Sequence, residues 1–280
     1  MKKYYYLLPA ALMLAGCSAN DGEQINDEPV KNEKAVTMTF TPYGMEAMTR
    51  GVTSISSVVT HLDVWIVDGD NTTAIHQSNS DADFGTVTAV LDKTKTYTLY
   101  AVGHKASGEA TLTDGIVAFP DDKVTHAMVY STTFSPGTTT ELSCTMSRIV
   151  GNFRLEVTDA APAEVTRMEI HIGQSPTRWD FANGGCNEMD RTATFPISSH
   201  TAGSVTLSTF IIAQNDAAAN YTMTVTAYDA QDNVVQTRTF ADVPVRNNYR
   251  TTYRGTFFID TDMTMTFSVA DWENFDVVTF

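Results

Sequence analysis

The chain has 280 residues and carries 33 acidic against 18 basic side chains, a net charge of −15. That balance argues against nucleic acid and anionic lipid as partners, because both need a concentrated patch of Lys and Arg. It leaves room for one large or two ordinary domains.

Met1, Lys2 and Lys3 open the chain with positive charge, and Tyr4 to Ala15 form an apolar run. The run is shorter than the ~20 residues a membrane-spanning helix needs, and it has the length of a signal-peptide core. Ala15 and Gly16 then precede Cys17, so that LAGC has the form of a bacterial lipobox. This reading makes residues 1–16 a lipoprotein signal peptide and Cys17 the lipidated first residue of the mature chain. Each buried methylene contributes about 0.8 kcal/mol, so several acyl chains on one cysteine would hold a membrane without a spanning helix. Residues 17–34, which end in SANDGEQINDEPVKNEK, are poor in large apolar side chains. Such a stretch cannot bury enough surface to offset its ordering entropy and reads as a flexible spacer.

From residue 35 onward the chain alternates with period two. Val36, Met38 and Phe40 interleave with Thr37, Thr39 and Thr41. Arg50 follows in EAMTRGVTS, a Thr- and Gly-flanked stretch between two strands. The turn Asp68-Gly69-Asp70-Asn71 predicts a hairpin between Leu62–Val67 and Thr73–Gln77. Further alternating runs lie at 97–102, 153–157, 168–172, 221–227 and 263–269, separated by turn-forming clusters. Threonine fills the polar positions, as in antiparallel sheets with one wet face. No segment keeps a helical period. The expected fold class is all-β, with two tandem antiparallel β-sandwiches. FPDDKVTHAMVYSTTF, from Phe119, echoes FADVPVRNNYRTTYRGTFF, from Phe240, and Arg148-Ile149-Val150-Gly151 begins a fresh strand. The domains are therefore placed at 35–148 and 149–280, the second with a terminal strand segment, Met263 to Phe280.

Chemistry is sparse. His61, His76, His104, His126, His171 and His200 are scattered singly, with no spacing suited to a metal, and each reads as a solvated or hydrogen-bonded surface residue. There is no nucleophile elbow and no phosphate loop. Neither catalytic residues nor a metal or other cofactor is expected. Cys144 and Cys186 could form one bridge in an exported protein or remain buried thiols, and their spacing decides neither. Trp65, Trp179 and Trp272 are candidates for stacking on sugars at the surface.

The lipobox, SDADFGTVTAVLDKTKTYTLYAVGHKASGEATL, DAAPAEVTRMEIHIG and VTAYDAQDNVVQTRTFADVPVRNNYRTTYRGTFF together resemble the fimbrillin-type (type V pilus) proteins of Bacteroides-type bacteria. The likeness is closest to the anchor-subunit branch and runs from about residue 36 to 259. It implies two transthyretin-like domains, partnership with other fimbrial subunits by strand exchange, and a lipid-held place at the outer membrane, surface-exposed and within the fimbrium. Asn20, Asp21 and Glu23 resemble a diluted form of the surface-export signal of such lipoproteins. The resemblance further implies that, in polymerising members, an Arg-specific protease cuts in the region that corresponds to Arg50. Cleavage there would discard the lipid and Val36–Thr41 together, whereas retention would keep the anchoring role. The resemblance favours retention. The alternatives are a tip or stalk adhesin released by cleavage after Arg50, and a surface glycan-binding lipoprotein.

Overall fold

A computed structural model describes residues 32–42, 54–213, 219–259 and 266–271. The first half of the chain forms β1 (Glu33–Pro42), β2 (His61–Asp68), β3 (Asn71–Ser78), β4 (Thr86–Asp92), β5 (Tyr97–His104), β6 (Thr111–Thr113), β7 (Ile116–Ala118), β8 (Ala127–Phe134) and β9 (Glu141–Arg148). The second forms β10 (Val150–Val157), β11 (Arg167–Asp180), β12 (Gly184–Pro196), β13 (Val205–Ile212), β14 (Ala219–Tyr228), β15 (Val234–Val245), β16 (Tyr249–Gly255) and β17 (Thr266–Asp271). Among the described residues the only helical pieces are two 3-10 turns, Ile55–Ser57 and Pro120–Asp122. The all-β expectation therefore holds. The expected hairpin is present too, with Gly69 at φ 57° in the two-residue turn between β2 and β3, where a side chain would be strained.

The pairing scheme is duplicated. In the first half β1 lies between β4, which is antiparallel to it, and β9, which is parallel. In the second, β10 lies between antiparallel β13 and parallel β16. β2 pairs antiparallel with β3 and β5, and β5 with β8. In the same way β11 pairs with β12 and β14, and β14 with β15. Strand for strand, β1-β2-β3-β4-β5-β8-β9 and β10-β11-β12-β13-β14-β15-β16 share these neighbours and directions, with one difference: β8 also pairs antiparallel with β9, from Met128↔Arg148 to Val129↔Ser147, whereas β15 and β16 lie in separate sheets. The sheets are therefore not purely antiparallel, as threonine alternation had suggested, since the first and last strand of each scheme run side by side in one direction. The echo at Phe119 and Phe240 also falls elsewhere. It leads into β8 in one half and β16 in the other, whereas the counterpart of β8 is β15. Alternating Tyr and Thr mark any half-buried strand, which is why the echo did not mark equivalent ones. Arg148 closes β9 and Val150 opens β10, so a strand junction stands where the domain boundary was expected.

Two additions break the repeat. The hairpin β6–β7 is inserted between β5 and β8, and β7 pairs with β11 across Arg178↔Ala118 to Asp180↔Ile116. β17 adds to the outer edge of β16, from Tyr249↔Asp271 to Arg254↔Thr266. Contacts gather the chain from Asn32 onward into one compact unit.

Three apolar clusters fill it. The first combines Val36, Met38 and Phe40 of β1 with Leu62, Val64 and Ile66 of β2, Leu99 of β5 and Met146 of β9, so strands on both sides of the sandwich share one core. The second repeats this with Phe153, Leu155, Ile170, Ile172, Leu207, Met223 and Val225. The third joins the halves. It packs the opposite face of β2, β5 and β8 (Trp65, Val102, Val129) against the hairpin (Val117, Phe119) and against Ile149, Val150 and Ile212. This explains why Leu62 to Val67 is nearly continuous in apolar residues: β2 is buried on both faces.

Close approach is strictest at Gly151, in central β10. A Cβ there would lie 2.6 Å from the Arg246 carbonyl oxygen and 2.7 Å from Val245 Cγ1. Gly151→Ala is therefore expected to cost about 1–3 kcal/mol by overpacking, read as a lower urea midpoint with an unchanged m-value. Asp159 closes the second half. Its carboxylate is buried and accepts the N–H groups of Phe257 (2.8 Å), Phe258 (2.7 Å) and Ile259 (2.9 Å), which sets the direction in which the chain leaves β16.

Candidate functional site

The densest polar chemistry lies at the seam between the halves, on the face of β2 that carries Trp65. Asp63, 1% exposed, accepts from His76 Nδ1 at 2.6 Å, from His104 Nε2 at 2.7 Å and from the Ala110 N–H at 3.0 Å. Strand register brings them together. His76 stands opposite Asp63 on β3 and His61 opposite His104 on β5. The His61 and His104 rings stack at 5.3 Å, and Phe119 meets His104 edge-on at 5.8 Å. With Nε2–H donating to Asp63, His104 Nδ1 is a buried acceptor with no partner among the described residues. A buried carboxylate is tolerable only when its lone pairs are filled, and three donors fill them here. The Ala110 bond matters most for architecture, because it ties the connection into hairpin β6–β7 to the floor of the first half.

A second polar link lies nearby. His126, 6% exposed, has its Nδ1–H on the Val58 carbonyl at 3.0 Å and accepts Arg148 Nε–H on Nε2 at 2.7 Å. Arg148 also donates to Asn248 Oδ1, so the chain of bonds crosses from β9 to the turn before β16. Burial, and then the positive charge of Arg148 and Lys105, hold the His126 imidazole down at about 3. The unfolded chain takes up a proton at this residue near pH 6.5, whereas the folded one does not. Stability is accordingly complete above pH 6.5 and is lost as pH falls below it, by up to about 1.4 kcal/mol per unit. Between pH 7 and pH 5 the wild type is expected to lose about 2 kcal/mol more than His126→Gln in urea unfolding, since glutamine can donate and accept without titrating.

These clusters revise several sequence expectations. His104 and His126 are not surface histidines but buried members of hydrogen-bonded networks. The available signal was Asp63 itself, an acid within the apolar run Leu62–Val67, which had to find partners. Trp65 is 4% exposed and part of the middle core, and Trp179 packs partly buried against the same core, so Trp65 cannot offer a platform to a sugar. Cys144 and Cys186 do not bridge: both are free thiols. Cys144 is sealed in the first core, where burial pushes it up to about 12, and Cys186 lies on β12. Among the described residues no group of His, Cys, Asp and Glu could hold a metal. Cys17, Arg50, Trp272 and the segment after Asp271 lie outside the described residues. The first strand falls within them. Val36 to Thr41 is central in β1, with Val36, Met38 and Phe40 buried and partners on both sides. The part of the terminal segment that is described, β17, is paired within this chain to β16.

A search of curated protein sequences finds no match. Solved structures with a similar fold include a putative adhesin from Bacteroides thetaiotaomicron VPI-5482, at 12% identity over 86% of this chain and 96% of that one, with a TM-score of 0.56. Another is described as putative polysaccharide binding proteins (DUF1812) from the same organism, at 11% identity over 85% and 98%, TM-score 0.52. The fimbrial anchor protein Mfa2 from Porphyromonas gingivalis matches at 13% over 86% and 98%, with a TM-score of 0.48 that adds no weight. At these identities the likeness concerns the fold alone. The model of a family of unknown function (DUF6562) matches residues 121–277, more than half of the sequence, and the chain belongs to that family.

Proposed function

We propose that this protein is a lipid-anchored, cell-surface subunit of fimbrial type: two transthyretin-like sandwiches, 35–148 and 149–280, tethered through Cys17 at the outer membrane. It holds neighbouring subunits by strand pairing. The fold it shares with a protein described as a putative adhesin is consistent with a surface role. The observation that carries the reading is the position of β1. It is central, parallel to β9 and antiparallel to β4, and its three buried side chains fill a slot in the first core. A strand so placed is a unit that can be kept or exchanged: removing it would leave two rows of unpaired N–H and C=O groups beside an apolar groove, which an incoming strand would fill. β17 supports the same reading from the other end, since the outer edge of β16 accepts an added antiparallel strand.

In this proposal Arg50 stays uncut, β1 keeps its slot, and the protein ends a fibre at the membrane. Intact mass and amino-terminal analysis of the protein from native membranes tests it. An acylated chain beginning at Cys17 and continuous through Arg50 is expected. A chain beginning at Gly51, with the fragment of residues 17–50 absent from the same preparation, would instead make it a released tip or stalk subunit with an open groove. An unacylated chain still carrying residues 1–16 would overturn both. Deleting the protein is further expected to change fibre number, length or attachment, and fibres unchanged in all three would sink the assembly role.

A further inference from the structure

A groove of about 430 Å³ runs along β12 at the seam, lined by the connection before β8 (Asp121 to Thr125), by Met189 to Ala193, and by Thr177 and Thr209. Its volume suits one or two sugar rings. Most of its charges are already matched. Asp121 lies 3.7 Å from Lys123 and Asp122 3.4 Å from Arg178, and Asp190 accepts the Gln174 backbone and side-chain N–H groups at 2.9 and 2.8 Å. Arg191 differs. Its Nε donates to Ser175 Oγ at 2.9 Å and its Nη2 to the Phe210 carbonyl at 3.0 Å, both neutral acceptors, and among the described residues no carboxylate pairs with it. Burial lowers this guanidinium to about 10, the mark of a cation deprived of water without a counter-charge. Such a cation is costly until an anion reaches it, and the guanidinium fork fits a carboxylate in two parallel bonds.

We propose that this groove binds a carboxylate-bearing sugar unit of an acidic glycan, with Arg191 holding the carboxylate. The hydroxyl of Thr192 and the carboxylates of Asp121 and Asp122 suit ring hydroxyls, and Val124 and Met189 offer apolar surface to the C–H face of a ring. This mixture of hydroxyls and acids around one fork favours a polyol acid over an acidic peptide. The inference is independent of the assembly role proposed above.

Calorimetric titration of the mature protein with D-glucuronate, D-glucose, acetate and the peptide Gly-Glu-Gly tests it. Glucuronate is expected to bind saturably, and glucose about tenfold or more weakly, the loss of one bidentate pair. Arg191→Gln should lose about the same factor. Arg191→Lys, which keeps charge without the fork, should fall between, and Thr192→Val, an exposed site, should weaken glucuronate with the fold intact by circular dichroism. If Arg191→Gln fails to fold, the last two variants decide. The proposal is overturned if glucuronate does not saturate the wild type or if the variants bind it as the wild type does. It is equally overturned if Gly-Glu-Gly binds as tightly. In the first two cases Arg191 is an inward charge that keeps the long β12 edge from pairing with other strands, and in the third the groove is a site for acidic peptide.

Discussion

A protein nicked after Arg50 under native conditions is expected to keep its first strand until it unfolds, and to unfold at a midpoint that depends on its concentration. Val36, Met38 and Phe40 are buried in the first core, and β1 has ladder partners from Glu33↔Asp92 to Thr39↔Thr86 on one side and from Thr37↔Glu141 to Pro42↔Met146 on the other. Burying three such side chains contributes about 2–3 kcal/mol each, which together rivals the whole stability of an ordinary domain, about 5–15 kcal/mol. The first half therefore does not stand without β1, yet the cut itself removes none of these contacts. Once the link is broken, unfolding releases a separate fragment, and mass action makes the midpoint rise with concentration. Gel filtration of the nicked protein should show the fragment co-eluting with the remainder. A synthetic peptide of residues 33–42, added in excess, should raise the midpoint further. Immediate loss of the fragment, with the remainder melting where the intact chain does, would show that β1 is not part of the core, and with it the assembly proposal would fail.

Asp63→Ala is expected to destabilise the protein by about 3–5 kcal/mol, the range for stripping one partner from a buried charged network. The substitution leaves the buried His104 and the Ala110 N–H without their acceptor, and removes the partner of His76 at the solvent-facing side of the cluster. Asp63→Asn keeps an oxygen but turns an N–H toward one of the imidazoles, so a smaller loss of about 1–3 kcal/mol follows. Urea unfolding followed by circular dichroism measures both. A role for Asp63 in fixing the seam predicts something further. Hydrogen exchange should quicken at Ile116 to Ala118, which pair with β11, even in conditions where the rest stays folded. A loss below 1 kcal/mol, or exchange unchanged at the hairpin, would mean that the carboxylate is incidental to the seam.

Features that depend on neighbours a few residues away were legible in the sequence. Alternation of threonine with apolar side chains marked the strands, since a residue in a strand faces the same side as the one two places on, whatever the strand pairs with. Gly69 in a tight turn marked the hairpin because the turn's backbone needs a positive φ. The near absence of helix among the described residues followed from the same local patterns. The tertiary structure decided what a strand's second face meets and which strand lies beside it. Trp65 and Asp63 share one face of β2, and nothing local shows that hairpin β6–β7, arriving some 50 residues later, covers that face, burying the tryptophan and supplying the aspartate with a backbone donor. The parallel placement of β1 beside β9 and of β10 beside β16 joins segments about 100 residues apart, and the duplicated scheme is visible only in those pairings. Period two describes a single strand and is the same for every partner, so register, neighbour and covering layer are set only when distant segments compete for the same hydrogen bonds and the same apolar surface.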